Sequence, residues 1–339
     1  MDNILDARAK PPNEIRAVYK HFHKACANLL DEDPDLVQFQ DGNAETNLWL
    51  KRCLDLPPEM RQAFMRFMNS DSNIEDSPMA MYEVPDVPGL YIYPSLLPVE
   101  VQFELLERLL HRDLCNPKHQ TNVHMHYHVP YPPSTREIPS SFFDRSTSGC
   151  TFQPLNPDVH KSITNEQFLN KKLRWATLGG QYDWTKKVYP SGPPPAFPSD
   201  IKQLIEDVFP MKAEAAIVNL YSPGDTLSLH RDVSEECNRP LVSISLGCDA
   251  LFIAGLEGES QDEAPRVATI RLRSGDAVLM SGESRYAWHG VPKVLEGTCP
   301  NWMEDWPCRS EKDEEGRFEH WRGWMKGKRV NLNVRQMFE

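Results

Sequence analysis

From residue 213 onward the sequence is a succession of short apolar runs: AAIVNLYS, TLSLH, LVSISLG, ALFIAG, RVATIRL, DAVLM, YAWHGV and RVNLNVRQM. Glycine, aspartate and proline punctuate them. About eight strands with turn signals between them predict a sandwich or barrel-like β fold. One segment breaks the series. Residues 293–328 are charged and Trp-rich and read as a loop inserted before the last strand.

The chain upstream reads differently. Over 13–30, Ile15, Val18, Tyr19, Phe22, Cys26, Leu29 and Leu30 recur at helical spacing. PPEMRQAFMRFM, 57–68, is a second helix with proline in its first turn. Residues 69–89 are polar and Pro-rich and read as a linker. GLYIYPSLL, 89–97, leads out as a strand, and 98–114 follows as an amphipathic helix. Residues 115–165 look irregular, and 198–209 form another helix with Ser199 as N-cap. The expected class is mainly β with flanking helices (α+β). A helical N-terminal extension and linker occupy 1–85. The main domain occupies 86–339, with a substrate-facing part at 115–212 and the β core at 213–339.

The net charge of −12 argues against a surface coated for long duplex DNA. Two local segments run the other way. Residues 168–190 carry five basic residues against one acid, and 321–329 carry four and none. Both interleave aromatics, and each also fits a plain solvated face. The eight cysteines lack zinc-knuckle spacing and read as free thiols. No apolar run is long enough to span a membrane. With neither a secretory nor a transit-peptide pattern, the expectation is an intracellular monomer in nucleus or cytoplasm, a mitochondrial destination staying open.

Two pieces of the β half suggest a metal site. In LSLHRD, 227–232, His230 and Asp232 are two apart and share a face of an extended chain. His289 ends the run RYAWHGV, 285–291. Two histidines and a carboxylate on adjacent strands make the facial triad of non-haem Fe(II) oxygenases, although H-x-D alone is weak. The third piece is RVNLNVRQM, 329–337. Val330, Leu332 and Val334 form one face; Arg329, Asn331, Asn333 and Arg335 form the other. Such a face is costly if dry and unpaired, and reasonable if it lines a cavity holding a dianion or simply meets solvent. The two arginines lie about 20 Å apart at ~3.3 Å per residue, too far to grip one small ligand directly.

Together these segments resemble the AlkB family of Fe(II)/2-oxoglutarate dioxygenases. The shared pieces are the N-x-Y-x-x-G lead-in, H-x-D, the G-E-S-R-x-x-x-H block and R-x-N-x-x-x-R, in order over roughly 170–339. KLRWATLGGQYDW and the Trp-containing insertion look most like the eukaryotic AlkB homologue one branch. The resemblance implies a double-stranded β-helix, or jelly roll. It implies iron on His230, Asp232 and His289. Arg329 would meet the far carboxylate of 2-oxoglutarate and Arg335 the keto-acid end, with Asn219, Tyr221 and Asn331 completing the pocket. It further implies O2 as co-substrate and oxidative removal of an N-methyl group as formaldehyde, with succinate and CO2.

A base must leave its stack to reach such a metal, so single-stranded, bulged or flipped DNA, or tRNA, is the expected partner. Tyr182 and Trp184 are candidate stacking residues, and Trp175 is expected in the core. Lys171, Lys172, Arg174, Lys186 and Lys187 could contact phosphate. Bacterial-type members carry an acid where this chain has Ser234. That departure puts cationic damaged bases in doubt and leaves room for N6-methyladenine or a tRNA modification. A protein oxygenase acting on a basic histone tail, and a binding protein without catalysis, are the competing readings.

TNVHMHYHVP, 121–130, is a conspicuous alternative metal site. If extended, it would put His124, His126 and His128 on one face. No nearby carboxylate or cysteine completes a closed site, so this stretch is expected as a partly exposed strand or loop near the substrate entrance.

Overall fold

The eight apolar runs fold as β1 (Ala215–Tyr221), β2 (Leu227–His230), β3 (Leu241–Gly247), β4 (Ala250–Leu256), β5 (Arg266–Leu272), β6 (Ala277–Met280), β7 (Trp288–Val294) and β8 (Arg329–Arg335). In this computed structural model, β1, β8, β3 and β6 lie side by side in one sheet, and β2, β7, β4 and β5 in another. Every pairing among them is antiparallel. First pairs with last, second with seventh, third with sixth and fourth with fifth, which is the double-stranded β-helix. The structure describes all residues except 1–5, 7, 40–49, 56–58, 70–79, 134–140, 184–188, 191, 259, 261–262 and 309–315.

Alternation decides which residues meet which layer. Val330, Leu332 and Val334 of β8, with Val242, Ile244 and Leu246 of β3, turn away from the second sheet. They join the core beneath three helices, α2 (Glu59–Met68), α3 (Val99–Glu107) and α4 (Ser199–Val208). Ser199 is the first residue of α4, and the cap position before it is Pro198. The opposite face of β8 looks into the space between the sheets.

Helix α1 (Asn13–Lys24) covers the outside of the second sheet, where Phe22 packs with Leu251 and Ile253. Its Tyr19 hydroxyl donates to the carbonyls of Leu227 in β2 and Val291 in β7, at 3.2 and 3.4 Å. The helix is shorter than its periodicity predicts. Ala25 leaves the helical region at ψ 139°, so Cys26 and Leu29 fall out of phase and are exposed.

Short strands also appear where the sequence suggested helix, linker or loop. Leu36–Val37 pairs with β5, and Lys51–Asp55 and Ala80–Glu83 join the first sheet beyond β6 through Leu90–Tyr93, which lies in the segment expected as a strand. Tyr127–His128, Thr151–Pro154 and Ile163–Thr164 form a small third sheet, and Trp175–Gly179 pairs with β1. The insertion before β8 is not merely a loop. Trp306, Trp321 and Trp324 are buried, and the Phe143 ring stands 4.9 Å from both Trp306 and Trp324. Among the described residues no helix is long and apolar enough to cross a membrane.

Candidate metal centre and co-substrate cleft

β2 runs along the edge of β7 with His230 directly opposite His289, and opposed residues share a face. Asp232 follows two residues later, and ligand atoms of all three lie within 4.8 Å of one another. The close approach of the two strands depends on Gly290. A Cβ there would stand 2.7 Å from the Leu227 carbonyl oxygen of β2.

Both imidazoles are held in one orientation. Nδ1 of His230 lies 2.9 Å from the Ser228 carbonyl, and Nδ1 of His289 lies 3.0 Å from that of Ala287. Carbonyls only accept, so Nδ1 carries a proton and Nε2 is the nitrogen left to face a metal. The two Nε2 atoms face Asp232 at 3.7 and 3.9 Å. Nε2 of His289 is buried and has no hydrogen-bond partner among the described residues. Burial, then the adjacent His230, pushes the His289 pKa down to about 4. Burial pushes Asp232 the other way, but Arg335, His230 and His289 together hold its carboxyl below the usual carboxylate range. Two imidazoles and one carboxylate suit Fe(II). Among the described residues this is the one group of three or more such side chains close enough to hold a metal ion.

The polar face of β8 supplies the rest. Arg329, Asn331, Asn333 and Arg335 are all buried. Asn331 stands opposite Asn219 of β1 and Ser245 of β3, and Arg329 opposite Tyr221. The register thus brings Asn219, Tyr221, Arg329 and Asn331 onto one inner face. Arg329 donates to Ser245 Oγ at 2.7 Å and to the Cys248 carbonyl at 3.0 Å. At the other end of the strand, Arg335 Nη2 donates to Asp232 Oδ2 at 2.6 Å. Nε of Arg329 and Nη1 of Arg335 have no partner among the described residues. Each such buried donor costs about 1–3 kcal/mol if left unmet. One arginine is beside the triad and the other lies six residues along the strand, so an elongated dianion fits where a compact one would not.

The expected substrate residues are partly assembled. The Tyr182 hydroxyl lies 3.2 Å from Ser234 Oγ, and the Tyr182 and Tyr189 rings meet edge-on at 5.2 Å. Beside them is a cavity of about 580 Å³, lined by residues including Gln181, Tyr189, Ser234, Glu235 and Phe338. Trp175 is not in the core; it is half-buried opposite Asn219, on the inner face. Arg174 is exposed and pairs with Asp225, while Lys171 and Lys172 are exposed. Trp184, Lys186 and Lys187 lie outside the described residues.

The alternating histidines do not share a face. Asn122–Met125 is a 3-10 turn in which His124 caps Thr121 and its Nε2 bonds the Tyr131 hydroxyl at 2.9 Å. His126 instead meets His160, with ring centroids 4.7 Å apart.

Sequence reasoning passed over Glu235 and Arg285, which form a buried ion pair at 2.9 Å. Glu235 stands three residues after Asp232, and Arg285 belongs to the G-E-S-R block. Those positions were signals, but nothing local says that the two charges are buried together. Ser243 was also missed; its hydroxyl accepts from Asn331 at 2.8 Å.

The profile of the 2OG-Fe(II) oxygenase superfamily matches residues 89–335. The N6-methyladenosine RNA demethylase ALKB1 of Pyricularia oryzae is 46% identical, covering 99% of this chain and 98% of that protein. The tRNA demethylase abh1 of Schizosaccharomyces pombe is 37% identical over 94% of this chain and 95% of its own. The DNA N(6)-methyladenine demethylase ALKBH1A of Arabidopsis thaliana is 32% identical over 79% and 80%.

Proposed function

Because the chain belongs to the 2OG-Fe(II) oxygenase superfamily, within its AlkB branch, we propose that it is an oxidative demethylase of N-methylated nucleobases in unpaired RNA or DNA. The observation that carries the reading is the buried polar face of β8, whose unmet guanidinium nitrogens lie on the same strand face as the contact to Asp232. In this reading His230, Asp232 and His289 hold Fe(II). Arg329 with Tyr221 receives the far carboxylate of 2-oxoglutarate, and Asn219, Asn331 and Arg335 line the remainder. Fe(II) with 2-oxoglutarate and O2 supplies the oxidation, leaving succinate, CO2, formaldehyde and the demethylated base.

The protein's own part is placement. Carbonyl-tethered imidazoles keep their Nε2 atoms aimed at one point, with His289 buried and His230 partly open to solvent. Tyr182, Tyr189 and Ser234 border the opening, where an unstacked base would enter. Ser234 is neutral and already bonded to Tyr182. A neutral N6-methyladenine therefore suits this opening better than a cationic base, and the names of the Pyricularia oryzae and Arabidopsis thaliana relatives support that choice.

The test is formaldehyde release with Fe(II), 2-oxoglutarate and one of three substrates: N6-methyladenine in single-stranded RNA or DNA, methylated tRNA, or a methylated histone peptide. Release from the nucleic acids is expected. Release from the peptide alone would overturn the proposal.

A further inference from the structure

Arg335 touches two carboxylates through different nitrogens of its guanidinium. Nη2 donates to Asp232 Oδ2 at 2.6 Å, and Nε lies 3.2 Å from Glu235 Oε1. The second oxygen of Glu235 accepts from Arg285 Nη2 at 2.9 Å. Arg285 then returns to the same aspartate, donating Nη1 to the Asp232 main-chain carbonyl at 2.7 Å, and donates Nε to the Arg239 carbonyl at 2.9 Å. The contacts close into a ring: Asp232 carboxylate, Arg335, Glu235, Arg285, Asp232 carbonyl. Asp232 is thus held at side chain and main chain by two arginines that share one counter-charge.

We infer that Glu235 is a positioning residue for the metal and co-substrate sites, acting through Arg335 and Arg285; this rests on the assignment of those sites proposed above. The argument is one of geometry and charge balance. The Arg285, Glu235 and Arg335 side chains are 2%, 3% and 5% exposed, so none can turn to water. Two cations and two anions balance within the ring. A guanidinium beside a single carboxylate prefers the two-pronged fork. Without Glu235, Arg335 would turn its second prong onto Asp232 as well. That would cover the aspartate oxygen that faces His230 and withdraw Nη1, the donor that is now buried without a partner among the described residues. With Glu235 holding Nε, neither happens. One carboxylate therefore keeps Asp232 available to a metal and Nη1 available to an anion. Glu235 itself is not placed to ligate, because each of its oxygens is taken by an arginine.

The experiment uses the full chain with Mn(II) as the metal probe. Mn(II) affinity is read by electron paramagnetic resonance and 2-oxoglutarate affinity by calorimetry on the Mn(II)-loaded protein, with circular dichroism checking the fold. Glu235→Gln removes the charge at nearly constant shape. It is expected to weaken both affinities at least about ten-fold, the range seen when partners of metal ligands are removed. Arg285→Lys keeps the charge but loses the contacts to the Asp232 and Arg239 carbonyls, and is expected to weaken Mn(II) binding by a smaller factor. A folded Glu235→Gln protein with wild-type affinities for Mn(II) and 2-oxoglutarate would reduce Glu235 to a structural staple and overturn the inference. Should Glu235→Gln fail to fold, Arg285→Lys decides, since unchanged Mn(II) affinity there overturns it equally. His230→Ala is the separate control on the metal assignment. If it keeps wild-type Mn(II) affinity, the assignment fails independently of Glu235.

Discussion

Gly290 lies next to His289 and owes its identity to what passes over it. A methyl group at this position would meet the Leu227 carbonyl at 2.7 Å and the Leu229 nitrogen at 3.1 Å, both main-chain atoms that cannot swing aside. Gly290→Ala must push β2 away from β7, and β2 carries His230. Overpacking of this kind costs about 1–3 kcal/mol. The thermal midpoint should fall accordingly, and Mn(II) affinity should fall with it; a variant with lower stability but intact Mn(II) binding would contradict this account. Arg329 offers a complementary case. Arg329→Lys keeps one charge in the buried slot but replaces a planar fork with a single ammonium. The KM for 2-oxoglutarate should rise at least about ten-fold, the equivalent of one ~1.4 kcal/mol contact, while affinity for an oligonucleotide stays as it was. An equal loss of both affinities would place Arg329 elsewhere in the reaction.

Single elements show why some of this was legible in the sequence and some was not. All eight core strands could be read, because short apolar runs of four to seven residues bounded by turn residues are local information. The arginine–asparagine face of β8 could be read because alternation is local as well, and with it the likeness that pointed to His230, Asp232 and His289. The strands Leu36–Val37 and Ala80–Glu83 could not. The first is two residues long and pairs with β5 far along the chain; the second stands in a polar, Pro-rich stretch that hides it, although one of its partners, Leu90–Tyr93, is near in sequence. The tryptophans of the insertion were misjudged because charged neighbours hid a buried cluster. The turn into β6 carries a prediction of its own. Asp276 accepts from the Ser95 and Arg273 amides at 2.8 and 2.7 Å. Burial pushes its pKa up to about 6 from 3.8, although those amides oppose the rise. Between about pH 4 and 6 the folded protein therefore binds this proton more tightly than the unfolded chain does. Its contribution to stability is greatest below pH 4 and is lost as pH rises through 6. Asp276→Asn turns one acceptor into a donor facing an amide, so it should destabilise by about 1–3 kcal/mol. The gap in thermal midpoint between wild type and variant should be widest near pH 4 and narrower at pH 7; a gap that widens with pH would refute the buried-acid reading.

At the scale of the molecule, an acidic protein is proposed to act on an acidic polymer. The net charge is −12, and two cations of the basic segments are already engaged: Arg174 with Asp225, and Lys328 with the Asn170 carbonyl and Ser222 at 3.1 and 2.8 Å. Among the described residues of the same basic segment as Arg174, Lys171 and Lys172 are exposed. With two or three phosphate contacts to an unpaired strand, the slope of log affinity against log salt should be about −2. A slope steeper than about −5 between 50 and 200 mM salt would mean a basic surface that the described residues do not display.

The order of strands has a consequence for how the protein is made. β8, the last core strand to be synthesised, lies between β1 and β3, in the middle of its sheet. A ribosome-bound chain that has reached residue 320 holds both neighbours but not the strand that joins them. Seven main-chain pairings on each side wait for residues 329–335. Until translation passes that point, two open strand edges stand where the centre of the sheet will be, and such edges invite pairing with other chains. Neither arginine of the proposed cleft exists before then, so the nascent protein acquires its closed fold and its co-substrate site in the same late step.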